Sequence, residues 1–237
     1  MTGVEVMRRV VRLSAFSLLL WSALAGPAGA QEKSVAPGIN ERFLEGRNYG
    51  EFVDQFEREG REIFDRRHDI LKAVGLKPGM AVADIGAGSG LFTQLFAREV
   101  GPGGKVYALE INPVMVTSIV RRLQEEGYRN VEGQVSTAKT VPVPPASLDV
   151  AFTSDVYHHF EYPQIILRAI REALKPGGIF IVVDFERIPG VSSQRILEHV
   201  RAGKETVIKE VEAEGFRMVE EKKLLQQNYF VRFEKPR

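Results

Sequence analysis

Short apolar runs alternate along the chain with stretches in which apolar residues recur at helical spacing. The apolar runs, each of six or seven residues, predict buried strands at 80–85, 105–110, 130–135, 148–154 and 179–185. The helical pattern lies between them, at 91–97, 114–126 and 163–174. Because strands separated by helices pair in parallel, the alternation predicts an α/β fold with a doubly wound, mostly parallel, Rossmann-like sheet.

Further elements are predicted on both sides of this alternating core. On the N-terminal side, residues 51–74 have helical spacing, and Gly60 is expected to divide them into two helices. The C-terminal side is predicted to hold a helical stretch at 194–215 with a break at Gly203, and a hairpin made of 216–224 and 229–233. The sheet is therefore expected to close with antiparallel strands.

The first 30 residues do not fit this pattern. A basic cluster at 8–12 precedes an apolar run at 13–24, and the small residues at 28–30 have the arrangement of a cleavage site. This order predicts a secretory signal peptide at 1–30, followed by a polar leader at 31–50. The expected protein is exported, periplasmic and without a stable membrane anchor after cleavage. An uncleaved anchor and an overextended start are the alternatives.

Composition and charge narrow the possible partners. The length of 237 residues suits one domain with a full core. Residues 1–30 hold three arginines and one glutamate, so 29 basic and 30 acidic residues remain after their removal. A chain this close to neutral offers no long basic stripe, and no nucleic-acid partner is expected. The absence of cysteine excludes disulfides, thiolate metal sites and cysteine nucleophiles.

A glycine-rich loop follows the first predicted strand of the core. Gly86, Gly88 and Gly90 come at alternate positions, two residues after Asp84, and a helix begins directly behind them. A strand, a glycine turn and a helix N-terminus together hold nucleotide-like ligands. Gly86 is expected to permit the tight turn, Gly88 the close approach of a ligand, and Gly90 the packing of the helix on the strand. The third glycine comes one residue too early for the dinucleotide pattern G-x-G-x-x-G, because Leu91 takes its place.

A second acid ends the next predicted strand. Glu110 lies 20 residues after Gly90. A carboxylate at this position accepts hydrogen bonds from both hydroxyls of a ribose, since it has no proton to donate. An unphosphorylated ribose, as in adenosine, is the ligand that this acid favours.

The D-x-G-x-G-x-G run that begins at Asp84 resembles the first motif of the class I S-adenosylmethionine (SAM)-dependent methyltransferases. The stretch LKPGG at 174–178, followed by an apolar run, resembles a late motif of the same family. The resemblance implies a seven-stranded sheet with an antiparallel C-terminal strand, SAM as cofactor, and a SAM-binding domain at 51–237 whose helical cap is 51–75. The SAM-binding residues that it implies are Asp84, Gly86, Ala87, Gly88, Gly90, Glu110, Ile111, Thr137 and Ser154. Thr137 stands where the family often has an acid for the adenine amine.

The loop after the fourth predicted strand is expected to face the transferable methyl group. It contributes Asp155, His158 and His159 as candidate catalytic residues, and the two histidines are the candidates for removing a proton from the acceptor. Packing against cofactor or substrate is the simpler role for either histidine. A metal site made of these three residues and Glu161 is an alternative, but adjacent histidines usually point apart, so no metal is expected.

The function predicted from these features is in-line methyl transfer from SAM to a small-molecule acceptor. Two alternatives stay open: an exported binding protein for a nucleoside-like ligand, and an enzyme of the same fold with changed chemistry at 155–159. Export conflicts with a cofactor made in the cytosol. The acceptor pocket is expected from 39–59, 157–164 and 188–199, and the aromatic residues of 49–56 are expected to form either a lid or simply core.

Overall fold

A computed structural model describes Gln31, residues 33–44 and residues 48–237. Its seven strands form one sheet in the order β3-β2-β1-β4-β5-β7-β6. The first five pair in parallel, and β7 is antiparallel to both β5 and β6. The strands are β1 (Ala81–Ile85), β2 (Lys105–Glu110), β3 (Val131–Val135), β4 (Leu148–Ser154), β5 (Leu174–Phe185), β6 (Arg217–Glu221) and β7 (Asn228–Glu234). The predicted fold class is confirmed.

Helices precede, connect and follow these strands. In the described part of the chain they are α1 (Glu41–Leu44), α2 (Tyr49–Phe56), α3 (Glu62–Asp65), α4 (Arg67–Val74), α5 (Leu91–Val100), α6 (Pro113–Glu125), α7 (Pro163–Ala173), α8 (Gln194–His199) and α9 (Lys204–Ala213). A short 3-10 helix, Tyr157–His159, follows β4. The predicted breaks at Gly60 and Gly203 are both present, between α2 and α3 and between α8 and α9. None of the helices seen in this portion is long and apolar enough to cross a bilayer.

The fifth strand differs from its predicted start. It was expected to begin at 179 after a turn at 175–178, but β5 starts at Leu174. Leu174 already pairs with Leu148 of β4, ahead of an irregularity in the register between Leu148 and Val150. The glycine-containing stretch is therefore absorbed into the strand as a bulge, with Gly177 at a φ of +77°.

Apolar clusters cover both faces of the sheet. Successive residues of β1 illustrate this arrangement, since Val82 packs into one cluster and Ala83 into the other. A strand buried on both faces requires a continuous apolar run, which is the pattern seen in the sequence. The functional residues lie at the carboxyl ends of the strands and in the loops that follow them.

The start of α6 follows from its local sequence. Asn112 caps the helix through its side-chain oxygen, which accepts hydrogen bonds from the amides of Val114 and Met115, and Pro113 is the first helical residue. The Asn112 amide also donates to the carbonyl of Phe43 at 2.6 Å. This contact fixes part of the N-terminal leader against the core.

The leader lies over the end of the loop that follows β4. Val35 donates its backbone N–H to the Glu161 carbonyl at 2.9 Å, and Asn40 donates to the His159 carbonyl at 3.1 Å. Residues 31 and 33–44 are the described part of this leader, whereas the predicted signal peptide at 1–30 lies outside the described residues. The leader thus forms a wall of the site described next.

Candidate active site

A cavity of about 620 Å³ opens at the carboxyl ends of the parallel strands. It lies at the switch point between β1 and β4, where open α/β sheets bind ligands, and its size suits a cofactor together with a small substrate. The loop end of the cavity is lined by Gly86, Ala87, Gly88, Glu110, Ile111 and Thr137. The histidine end is lined by Arg42, Phe43, His158, His159, Arg195 and His199. All three segments predicted to shape an acceptor pocket contribute residues to it.

The glycine loop has a left-handed backbone that requires glycine. The φ angle is +73° at Gly86, +59° at Gly88 and +84° at Gly90. At two of these positions the structure gives a further reason for glycine. A Cβ on Gly88 would lie 3.3 Å from the Phe56 ring, and a Cβ on Gly90 would lie 2.9 Å from Ile119 of α6. The glycines therefore make room for α2 and α6, which close over the loop in a way that local sequence does not reveal.

Glu110 ties the glycine loop to the end of β2. Its carboxylate accepts from the Gly88 amide at 3.0 Å and from the Ile111 amide at 2.7 Å. The residue is buried and lines the cavity. Burial raises its pKa, against the effect of the backbone hydrogen bonds. The oxygen bound by Ile111 also accepts from the Asn112 amide at 3.4 Å, whereas the oxygen bound by Gly88 keeps a lone pair with which it can also accept from hydroxyls of a ligand.

Asp84 is the penultimate residue of β1 and lines the cavity. Its carboxylate accepts a hydrogen bond from the Thr93 hydroxyl of α5 at 2.7 Å, and the residue is 3% exposed. Burial raises the pKa of Asp84 to about 7, and the nearby Glu110 carboxylate adds to this effect. Two buried carboxylates beside one loop favour a ligand that carries positive charge.

All residues of the predicted cofactor set except Gly90 line the cavity. Thr137 is there, although its hydroxyl pairs with the Thr140 hydroxyl at 3.0 Å. The Ser154 hydroxyl is buried and has no hydrogen-bond partner among the described residues. A buried hydroxyl without a partner is costly unless a ligand or water supplies one. Ser154 is therefore the polar group of this set that most needs a bound molecule.

Asp155 is held by two side chains from distant parts of the chain. It has a left-handed backbone with a φ of +53°. Arg61 forms an ion pair with its carboxylate at 2.7 Å, and the Asn228 amide donates to it at 2.6 Å. Burial raises its pKa, although the Arg61 charge opposes this. These contacts suit a role for Asp155 in positioning the loop. The predicted catalytic role of Asp155 stays a prediction.

His158 is oriented by an aspartate that the sequence analysis did not select. Its Nδ1 lies 2.7 Å from the Asp184 carboxylate, and its backbone N–H donates to the other Asp184 oxygen at 3.0 Å. Burial opposes protonation of the ring, but Asp184 outweighs it, so the pKa of His158 is raised. A hydrogen bond from Nδ1 to the carboxylate leaves the lone pair on Nε2.

His159 and His199 complete a cluster of imidazoles. The ring centroids of His158 and His159 are 4.3 Å apart, and His199 lies 5.0 Å and 5.1 Å from them. The expectation that the adjacent rings point apart is wrong, because Asp184 holds one ring while Phe43 contacts the edge of the other. Burial and the neighbouring cations lower the pKa of His159 to about 2 and that of His199 to about 4.

Sequence reasoning missed Asp184, His199 and Arg61. Asp184 had a visible signal, since an acid inside the apolar run of a buried strand is rarely without a partner. His199 and Arg61 had none, because His199 reaches the site from the end of α8 and Arg61 from the residue before α3, both far away in the sequence. Their roles depend on tertiary packing alone.

Comparison with known sequences agrees with the geometry. The sequence model of a family described as a methyltransferase domain matches residues 76–231. The chain is 32% identical over 123 residues to the ubiquinone/menaquinone biosynthesis C-methyltransferase UbiE of Hahella chejuensis (strain KCTC 2396), which covers 52% of this chain and 49% of that enzyme. The chain therefore spans about half the length of the curated relatives that it matches.

Solved structures share the fold. A SAM-dependent methyltransferase from Aquifex aeolicus superposes with a TM-score of 0.70 at 25% identity, covering 80% of this chain and 100% of that one. Phosphoethanolamine N-methyltransferase 2 of Haemonchus contortus, solved with SAM, has a TM-score of 0.62 at 18% identity, covering 81% of this chain and 61% of that one. The fold and the loop thus define a class I methyltransferase. The chain belongs to the methyltransferase-domain family, and its fold is that of the class I SAM-dependent methyltransferases.

Proposed function

We propose that this enzyme transfers the methyl group of SAM to a small organic acceptor that binds at the histidine end of the cavity. The observation that carries the proposal is the continuity of the cavity, which joins the glycine loop and Glu110 to the histidine cluster. One ligand at each end would meet between them, near Ser154. Methyl transfer from a sulfonium needs this in-line arrangement of two bound partners.

The residues at the loop end fit SAM. Glu110 offers acceptor lone pairs for the ribose hydroxyls, Asp84 offers a carboxylate for the amine, and Ser154 offers a hydroxyl without another partner. The two buried acids favour a ligand with a net positive charge, which SAM carries. When bound, SAM supplies the activated methyl group, and the protein positions the acceptor and excludes water.

The histidine end suits an acceptor with an apolar or aromatic body and at least one polar atom. Phe43 and the imidazole rings provide flat surfaces, while Arg42 and Arg195 provide positive charge at the rim. UbiE is a C-methyltransferase of ubiquinone/menaquinone biosynthesis, and an aromatic acceptor would match this lining. The wall made by the leader supports a small acceptor.

The test is whether the purified chain binds S-adenosylhomocysteine and forms it from SAM. We expect calorimetry to show one site per chain, and we expect a panel of phenols, quinols, amines and thiols to contain an acceptor that receives labelled methyl. Failure to bind either cofactor form would overturn the proposal. Tight binding without transfer to any acceptor class would favour the alternative of a binding protein.

We also propose that the enzyme is exported, with removal of residues 1–30. The support is the order of the basic cluster, apolar run and small residues in the sequence. Fractionation of the native host with N-terminal sequencing is expected to give a chain that begins at Gln31 in the periplasmic fraction. A full-length cytosolic chain would refute export and would remove the conflict with cytosolic SAM.

A further inference from the structure

Three of the four histidines in the chain meet at one end of the cavity. His158 and His159 lie in the 3-10 helix after β4, and His199 is the last residue of α8. One ring nitrogen from each lies within 4.8 Å of those of the other two. The chain has no cysteine, so imidazole is its best side chain for a transition metal. This convergence of two separate elements is not explained by packing of the apolar core.

We propose that His158, His159 and His199 bind one divalent first-row transition metal ion, with Zn²⁺ as the fitting probe. Three imidazole ligands with further coordination positions facing a cavity are the arrangement found in catalytic zinc sites. The sequence predicts no metal, and this ligand set also differs from the alternative one with Asp155 and Glu161. Asp155 is engaged by Arg61, and Glu161 accepts from Ser34 and Asn40.

The surroundings of the cluster support a metal in two ways. Asp184 holds Nδ1 of His158 at 2.7 Å, and a carboxylate behind a histidine is what fixes the tautomer and orientation of metal-binding imidazoles. Nδ1 of His159 is buried and has no hydrogen-bond partner among the residues described. A buried ring nitrogen without a partner gains a favourable interaction when an ion supplies one.

The third ligand already faces a cation. A guanidinium nitrogen of Arg42 lies 3.3 Å from Nε2 of His199. Because a guanidinium can only donate, this nitrogen of His199 presents its lone pair. A metal ion that uses this lone pair displaces the Arg42 donor, which lies on the four-residue helix α1 of the leader. The carboxylates of Asp184 and Asp155 supply negative charge behind the cluster.

A metal ion here changes the role of the histidines in the reaction. This part of the inference rests on the proposed function, methyl transfer to a small acceptor. A bound ion takes an oxygen, nitrogen or sulfur atom of the acceptor as a ligand and lowers the pKa of its proton, as zinc does for bound water. The histidines then act through the ion and not as free bases, and the proton leaves to solvent before the methyl group arrives.

The experiment measures zinc binding by the purified chain, prepared without a histidine tag, in competition with a chromophoric chelator. We expect one Zn²⁺ per chain in wild type and a loss of affinity of more than about 100-fold in His199→Ala and His159→Ala. Asp184→Asn, which removes only the partner of His158, should cost about 10- to 100-fold. His68→Ala removes the fourth histidine, which is exposed on α4, and should bind zinc as wild type does.

A second readout separates this proposal from the proposed function. S-adenosylhomocysteine affinity is expected to be unchanged in His199→Ala, which also shows that the variant is folded. Equal zinc affinity in the His68 and His199 variants would overturn the metal site, as would absence of stoichiometric zinc in a wild type that binds S-adenosylhomocysteine. Zinc binding without cofactor binding would leave the site standing and overturn the proposed function.

Discussion

Glu110→Gln is expected to weaken S-adenosylhomocysteine binding by roughly 10- to 100-fold. Hydrogen bonds to a charged group contribute about 1.5–3 kcal/mol each, which corresponds to this range of affinity. The substitution keeps the shape of the side chain but places an amide donor against the Gly88 or Ile111 N–H, both of which now donate to the carboxylate. The change therefore removes acceptor lone pairs from the ribose site and loosens the glycine loop.

Two measurements distinguish these effects. A 2′-deoxyribose analogue of S-adenosylhomocysteine should bind more weakly than the parent to wild type, and this difference should vanish in Glu110→Gln. Glu132→Gln is the control, since Glu132 lies on β3 and pairs with Lys105 at 2.6 Å away from the cavity. Equal affinity of wild type and Glu110→Gln for the parent ligand would disprove the assignment of the ribose to this acid.

Asp84→Asn is expected to stabilise the protein without ligand at pH 8 while weakening cofactor binding. The pKa of Asp84 is about 7 in the folded state, above the value near 3.8 of an unperturbed aspartate. The folded state therefore holds more protons than the unfolded state between these values, and wild-type stability falls as the pH rises from about 4 to about 7. The upper limit of this loss is on the order of 4 kcal/mol.

Denaturant unfolding at pH 5 and pH 8 tests this expectation. The free energy of unfolding should fall between the two pH values in wild type and should fall less in Asp84→Asn. The exposed aspartate Asp54 on α2 provides the control, because Asp54→Asn removes one negative charge without touching the cavity. Parallel pH profiles for wild type and Asp84→Asn would contradict a raised pKa at this site.

Cofactor binding should also depend on the ionisation of Asp84. The amine of SAM favours the charged form of Asp84, so binding to wild type is expected to release a proton and to tighten from pH 6 to pH 8. Calorimetry in buffers of different ionisation enthalpy measures the released proton. This release should be absent in Asp84→Asn.

Local sequence sufficed wherever a rule acts within a few residues. The strands of the core, the cap of α6 by Asn112 and the breaks at Gly60 and Gly203 follow from apolar periodicity, capping chemistry and glycine. The beginning of β5 did not follow, because it depends on pairing of Leu174 with β4 across a bulge. Pairing between strands is invisible to a local pattern.

The candidate site also has one part that local sequence predicts and one part that it does not. The glycine loop, Asp84 and Glu110 lie within one strand–loop–helix–strand unit. Their separation in the sequence therefore determines how close together they lie in the structure. The sequence by itself therefore determined the fold class and the loop end of the cavity. Only the tertiary structure decided the histidine end, because His158, Asp184 and His199 come from three elements that meet through packing of the sheet. That packing is long-range, and it gives no periodic signal along the chain.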